Sequence, residues 1–531
     1  MARLIKLFET SNIYKFLLLI AFTTSIFVKI WFVSGDNVIF WYDQARDAIV
    51  SLKLWQGDLK IQGPTASGTG DLVFHGVLYY YLTAPAYGLS GGDPVWASIW
   101  LGFITSLGIF GYFFLAEQLL ASKLKALLVC FFLAFSAHSV VLGTILGNPT
   151  IALATLPWFY LSIWHIYFKK SSNNKWLIAM GLSYGWLVQA AIWLFPIILL
   201  IPIGWHLNQD KKYQVKLGFS FRRLAFFLIP LLLMTNSMIV AQLQLITNGV
   251  FSLDKIIEGN SAHNHSNLTL FVILLKNYGQ KMIDVLLPGQ AILALSSWIL
   301  LLSKLKQLNR NQQRFYLLIL TVPTLLSLVF PRENYHFFFT LDAVLLLLAF
   351  NLFLYLKKSF FYPSVLALVA GFLFILINFV ELGYFKQKHL SIFDRFETTL
   401  SDQLKLIDTT YQIAEGNIFS FDSYADPYWY NTAWSYLYNW YGVSHYGYSP
   451  SFTGRSQIGT VNQNILKEQN ELERVHFAIA QPNNLMAENY RQDFYSLQQR
   501  KAGTEAYKNT YFGKILLSVY KPLSKESNNN E

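Results

Sequence analysis

The segment FWYDQARDAIVSLKLWQGD begins at Phe40 and holds Asp43, Arg46 and Asp47 within five positions. On a helix, Arg46 lies one turn after Asp43 and Asp47 lies directly above it, so all three project from one face. A carboxylate there can serve as a general base, and a guanidinium can hold a phosphate through paired hydrogen bonds. The opposite face offers Trp41, Ala45, Ile49 and Leu52 to a membrane or a protein neighbour. The plainer reading is an amphipathic helix at a membrane interface with its charges in water. The chemical reading has the charged face look into a cavity between membrane spans.

The elements that position this face are apolar. The chain has 531 residues, 54% of them hydrophobic, 17% aromatic and only 13% charged, with repeated apolar runs of about 20 residues, the composition of a polytopic helical membrane protein. Its net charge of +11 is unevenly spread. Residues 1–380 hold 27 Lys and Arg against 14 Asp and Glu, whereas the remainder holds 14 against 16. The excess falls in every second loop, at Ser122, Lys169, Asp210, Lys304 and Lys357, which is the positive-inside pattern and makes nucleic acid an unnecessary partner. Taking these loops as cytoplasmic gives eleven spans, roughly 12–34, 94–117, 126–146, 150–168, 175–190, 191–207, 224–244, 287–303, 315–331, 337–356 and 360–381. The apolar stretch 175–207 is split near Gln189 because only a split keeps the later basic loops on one side. The expected topology is a multi-pass cell-membrane protein with its N-terminus cytoplasmic and its C-terminal part outside. The first run has no small-residue cleavage site and reads as a retained span. Cys130, the single cysteine, falls inside a span and has no partner for a disulfide.

Two domains are expected: a transmembrane domain over 1–381 and an extracytoplasmic domain over 382–531. In the second, NIFSFDS, VHFAIAQP and KILLSVYKP alternate with helical stretches and predict a small α/β module. Its stretch YADPYWYNTAWSYLYNWYGVSHYGYSP, from Tyr424, reads either as a small aromatic core or as rings that stack on sugars or lie among lipid headgroups. The first loop, 35–92, is expected to carry helices lying along the interface.

Transfer of a sugar from a lipid phosphate requires a base to take the acceptor hydroxyl's proton and a cation to stabilise the departing phosphate. YDQARDA at Tyr42, followed by GD at Gly57, GP at Gly63 and HGVLYYYLTAPAYGL at His75, resembles the first outer loop of the polyprenyl-phosphate-dependent glycosyltransferases of the C-type superfamily. That group includes the protein O-mannosyltransferases and the bacterial aminoarabinose–lipid A transferases. Its pattern is an acid soon after span one, commonly Asp-Glu-x-Arg, then a helix opening with a His-Pro-Pro-Leu-Tyr-like motif. The resemblance implies an inverting hexosyl- or pentosyltransferase with Asp43 as the base and Arg46 near the lipid phosphate. It departs at Gln44, where the second acid is absent, and at Gly76 and Val77, where the prolines usually stand.

The same resemblance assigns His75, Arg332, Tyr335 and His336 to the donor phosphate, and leaves Asp47, Asn148 and Glu333 as contacts to acceptor or sugar. Asp342, inside span ten, is a secondary candidate, since an acid at that depth needs a partner or a wet cavity. The expected partners are a polyprenyl-phosphate-linked sugar, a hydroxyl acceptor on protein, lipid or glycan, and the bilayer. No residues call for a cofactor: His263 and His265 do not form a recognised metal site, though some relatives use a divalent metal ion. The alternatives are a transporter or flippase, whose usual paired halves and interrupted helices are not evident in the sequence, and an oligosaccharide ligase or polymerase using a lipid-pyrophosphate donor.

Overall fold

The computed structural model describes residues 12–66, 73–207, 221–249, 267–329, 340–388, 398–424, 430–454, 465–481 and 488–523. Four helices, Ile13–Val33, Pro94–Leu120, Arg222–Thr247 and Pro363–Lys388, are each long and apolar enough to cross a membrane. Three further pairs pass the same test together but bend at short breaks: Lys123–Phe135 with Ala137–Thr144 by 61°, Asn148–Ala154 with Leu156–Phe168 by 47°, and Leu275–Leu286 with Ala291–Gln307 by 91°. Among the described residues, four helices, or seven segments if each bent pair is one span, are long and apolar enough to cross a membrane. The helices interrupted at these breaks were not expected from the sequence. Each break has a local cause. Ser136 turns extended and caps the next helix, the 3-10 stretch ends at Thr155 where Pro157 opens the following helix, and Gly289 takes a positive φ of 73° after Pro288. Near the expected division of 175–207, helix Lys175–Ala190 stops at an extended Ala191, and Ile192–Leu199 continues as 3-10.

The interior of the helical part is not uniformly apolar. Lys29, 5% exposed within the first helix, donates to Thr105 Oγ1 at 2.9 Å, Ser106 Oγ at 2.9 Å and the Gly102 carbonyl at 3.4 Å. Gly143 makes room for it, since a Cβ there would lie 2.8 Å from Lys29 Cε. Across a cavity of about 40 Å³ lies Asp342, at the start of helix Asp342–Leu356. It forms ion-pair contacts with His138 Nδ1 at 2.6 Å and Lys281 Nζ at 2.8 Å. Asp342 therefore meets the requirement set for an acid at that depth through His138 and Lys281. Stripping one member from such a buried set strands a charge, so Lys281→Met is expected to cost roughly 3–5 kcal/mol. Thermal unfolding of the detergent-solubilised protein checks it: the Lys281→Met midpoint falls well below wild type, and an Asp342→Asn/Lys281→Met pair recovers part of the loss.

The C-terminal module is a five-stranded mixed sheet in the order β2-β1-β3-β5-β4, with β1 Ser420–Tyr424, β2 Ser451–Phe452, β3 His476–Ala480, β4 Lys508–Phe512 and β5 Ile515–Tyr520. β1 runs parallel to β2 and β3, and β5 runs antiparallel to β3 and β4. β1, β3 and β5 fall on the three apolar runs that predicted strands. Helix Leu400–Ala414 precedes the sheet, and helix Glu488–Ala502 supplies a polar chain to its buried face. Gln498 Nε2 donates to Asp422 Oδ2 at 2.7 Å, Gln498 Oε1 lies 3.0 Å from His476 Nε2, and His476 Nδ1 lies 2.8 Å from Ser420 Oγ. Burial, opposed by Lys501 and by hydrogen bonds from Gln498 and Ser423, still lifts the Asp422 carboxyl to about 6. Burial likewise lowers His476 to about 4.

A carboxyl whose folded pKa is raised costs stability once ionised, so the Asp422 contribution weakens as pH rises from the usual carboxylate range through 6. A histidine whose folded pKa is lowered costs stability as pH falls from 6.5 toward 4. The two windows coincide, between about 4 and 6, and their slopes oppose, so hydrogen-exchange protection of β1 and β3 is expected to change little across that range in the wild type. Asp422→Asn is expected to unmask the histidine contribution, protection then falling as pH drops from about 6 toward 4.

Candidate active site

The helix Tyr42–Trp55 is started by Gln44, whose Oε1 accepts the Trp41 amide at 3.0 Å while its Nε2 donates to the Leu146 carbonyl at 2.8 Å. The glutamine that replaces the usual second acid is thus a two-way clasp, bridging the helix start to the turn before Asn148. Asp43 in the first turn also suits the positive end of the helix dipole. Ala45, Ala48 and Ile49 are buried, and Ser51 Oγ lies 2.9 Å from Thr83 Oγ1, pairing this helix with Leu78–Leu89. Two interfacial segments expected in the first loop therefore form one packed unit.

The C-terminal module is docked on the same loop. Leu400 N donates to the Val38 carbonyl at 2.8 Å, Gln403 Nε2 to the Phe40 carbonyl at 2.8 Å, and Tyr436 Oη to the Gly92 carbonyl at 2.6 Å. Phe40 and Tyr436 add a ring contact at 5.3 Å. The segment leading into Asp43 is thus held by the C-terminal module as well as by its own loop.

Arg46 sits between the two carboxylates. Its Nη1 is 2.7 Å from Asp43 Oδ1, and its Nη2 and Nε are 2.7 and 2.8 Å from Asp47 Oδ1, which also accepts from Tyr80 Oη at 3.2 Å. The side chains grade from open to enclosed: Asp43 is 65% exposed, Arg46 10% and Asp47 2%. Burial works against the Arg46 charge, but Asp47 and Asp43 together outweigh it and fix the guanidinium as a cation. For Asp47 burial is the largest influence, and despite Arg46 it raises the carboxyl to about 6.

Two expectations change here. Asp47 is not placed to meet an acceptor: the turn that puts it above Asp43 also tucks it beneath Arg46 and against Tyr80, where it orients the guanidinium. Among the described residues the face as a whole does not look into a closed chamber, since Asp43, in the first turn and at the rim, is largely exposed.

The remaining candidates separate. His75 Nδ1 accepts the Ile192 amide at 3.2 Å, and the neighbouring Gly76 amide donates to the Gln189 carbonyl at 3.0 Å. A Cβ at Gly76 would lie 1.6 Å from Gln189 Oε1, which explains why a glycine replaces the proline of the related motif. Asn148 is 5% exposed, and neither amide atom has a hydrogen-bond partner among the described residues, an arrangement that wants a polar ligand. Arg332, Glu333, Tyr335 and His336, like His263 and His265, lie outside the described residues. Among those described, no group of three His, Cys, Asp or Glu side chains is placed to hold a metal ion. Sequence reasoning missed Tyr80, Gln44, His138 and Lys281. Tyr80 stood within the quoted LYYYL run, one turn from Thr83, and helical phasing alone would have put it on the buried side.

These elements define a class of fold: a helical membrane body whose first loop carries a packed helix pair, capped by a small mixed sheet module. Crystal structures of ArnT from Cupriavidus metallidurans share it. The one bound to undecaprenyl phosphate superposes at a TM-score of 0.54 with 12% identity over 96% of this chain and 98% of that one. The apo structure gives 0.56 with 12% identity, over 94% and 97%. At that identity the likeness is one of fold. No family model and no curated protein matches the sequence.

Proposed function

We propose that the chain is an integral-membrane, inverting glycosyltransferase that moves a sugar from a polyprenyl-phosphate donor to a hydroxyl acceptor at the outer membrane face. One observation carries the reading: an accessible carboxylate, Asp43, is held against a cation, Arg46, whose position is set from behind by Asp47 and Tyr80. Support also comes from the loop-one motif and from a fold shared end to end with a protein that binds undecaprenyl phosphate.

In the proposed reaction Asp43 takes the acceptor's hydroxyl proton as its oxygen bonds to the anomeric carbon. The bond from that carbon to the phosphate oxygen breaks, and polyprenyl phosphate leaves with the electron pair. A single displacement inverts the anomeric configuration. Arg46 has five N–H donors, and those not spent on the two carboxylates remain to meet phosphate oxygens. Phosphate is a good leaving group, so one base and one cation suffice. Exposure of Asp43 leaves the approach of a large acceptor open, and the substrates themselves exclude water when they cover it. His75 and the Arg332–His336 segment are assigned to the donor side, and Asn148 to a sugar or acceptor hydroxyl. The topology that goes with this reading has eleven crossings, a cytoplasmic N-terminus and the sheet module outside, with the division near 381.

The test is release of carrier. Full-length protein in nanodiscs, given polyprenyl-phosphate sugars and membrane acceptors, is expected to form free polyprenyl phosphate in step with glycosylated product. The bent helix pairs and the buried Lys29 and Asp342 favour a second reading, a transporter or flippase. In that case labelled carrier crosses sealed vesicles with its sugar still attached. A requirement for lipid pyrophosphate would instead indicate an oligosaccharide ligase or polymerase.

A further inference from the structure

The aromatic-rich stretch of the C-terminal module divides by burial. Trp434, Tyr436 and Tyr438 are enclosed at 0%, 3% and 0% exposure; Tyr438 packs between Tyr411 of helix Leu400–Ala414 and Phe421 of β1, while Tyr436 turns to Phe40 and Gly92 of the first loop. Tyr430 is only partly buried and also reaches the first loop: its ring stacks on that of Tyr42 at 5.6 Å and 28°. Tyr42 immediately precedes Asp43, and the Arg46 guanidinium carbon lies 5.9 Å from the Tyr42 ring centroid. A ring supplied by the C-terminal module and a ring supplied by the first loop therefore stack together within reach of the Arg46 guanidinium, on the helix that also carries Asp43. Tyr430 is also firmly based. Its neighbour Asn431 is fully buried and accepts from Ser423 Oγ of β1 at 2.7 Å, and helix Thr432–Leu437 starts directly after it.

We infer that the C-terminal module completes the reaction site, with Tyr430 and Tyr42 forming an aromatic face that packs against the ring of a sugar. The chemistry suits the task. A pyranose turns an apolar C–H face toward an aromatic ring while its hydroxyls seek polar groups; Arg46 lies 5.9 Å from the Tyr42 ring centroid and is itself paired with Asp43. A flat, preorganised pair orients a ring without consuming either charged side chain. Tyr430 is a positioning residue on this account, and the inference rests on the glycosyl-transfer reading. The ring could belong to the donor or to the acceptor, and the two are separable.

Tyr430→Phe, Tyr430→Leu and, in the membrane-borne loop, Tyr42→Leu are compared with wild type as full-length protein in nanodiscs. The donor arm measures binding of undecaprenyl-phosphate mannose against bare undecaprenyl phosphate, and the acceptor arm measures half-saturation by native membrane acceptors at fixed donor. Both leucine variants are expected to lose about five- to tenfold in one arm, the equivalent of roughly 1–1.4 kcal/mol of ring contact. Tyr430→Phe stays near wild type, as do binding of bare carrier and the melting midpoint. Loss confined to the sugar-bearing carrier assigns the ring to the donor, and loss confined to the acceptor arm assigns it there. Leucine variants equal to wild type in both arms overturn the inference, as does a Tyr430→Phe that fails like Tyr430→Leu. If Tyr430→Leu unfolds, Tyr42→Leu decides on the same criteria. Binding is read without turnover, so an inactive wild type would contradict the transferase reading while the donor arm still reports on Tyr430.

Discussion

Asp43→Asn is expected to reduce sugar transfer by roughly 10²–10⁴-fold, the usual contribution of a positioned general base, with the protein still folded and its lipid carrier still bound. The exchange is nearly isosteric, and the side chain is 65% exposed, so little of the structure leans on it. Its ion pair with Arg46 is of the open kind that contributes about 0–1 kcal/mol. What the amide lacks is the ability to accept a proton. Transfer assays with reconstituted protein, paired with a thermal melt and a carrier-binding measurement, separate the three quantities. Turnover near wild type would remove Asp43 from the mechanism.

Arg46→Ala has the other large effect, and it acts on fold and function together. The guanidinium holds two contacts to Asp47, which is 2% exposed, and its removal leaves a carboxylate buried with only the Tyr80 hydroxyl to satisfy it. Breaking a buried pair in this way costs roughly 3–5 kcal/mol. The loss should grow as pH rises and shrink as it falls and Asp47 takes up a proton; because Arg46 holds the Asp47 carboxyl down, its removal moves that crossover upward from the wild-type value of about 6. Adding Asp47→Asn is expected to restore most of the melting midpoint but none of the donor affinity, because the phosphate partner is still missing. A double variant that regained donor use would show Arg46 to be purely structural. Arg46→Lys should also fail, since one ammonium cannot reproduce a fork that spans Asp43 and Asp47.

The sequence made local features legible and long-range ones obscure. Helical phasing placed Asp43, Arg46 and Asp47 on one face, and hydropathy placed a helix or helix pair on each apolar run. Three strands fell on the apolar runs of the tail. The hand-off between groups could not be read, because spacing gives proximity along one helix but not depth. Asp47 and Asp43 are equivalent by spacing, yet neighbouring Tyr80 and the packing of Leu78–Leu89 bury one and leave the other in water. Partners far apart in the chain were equally hidden. Gln44 reaches Leu146, His138 and Lys281 meet Asp342, and Tyr42 meets Tyr430. Gly76 looked like a defect in a motif until Gln189 was seen to occupy the space a side chain would need. The breaks at Ser136, Ala191 and Gly289 fall inside or between apolar runs, and hydropathy marks a run without showing where its helix bends.

The most direct test of the central claim uses a nucleophile that carries no proton. Azide attacking the anomeric carbon needs no base, so Asp43→Ala supplied with azide and a polyprenyl-phosphate sugar should form the glycosyl azide of inverted configuration while its use of hydroxyl acceptors stays lost. Arg46→Ala should form none. If Asp43→Ala used hydroxyl acceptors at the wild-type rate, or were equally poor with azide and hydroxyl acceptors while still binding carrier, the carboxylate beyond the first helix would not be the base.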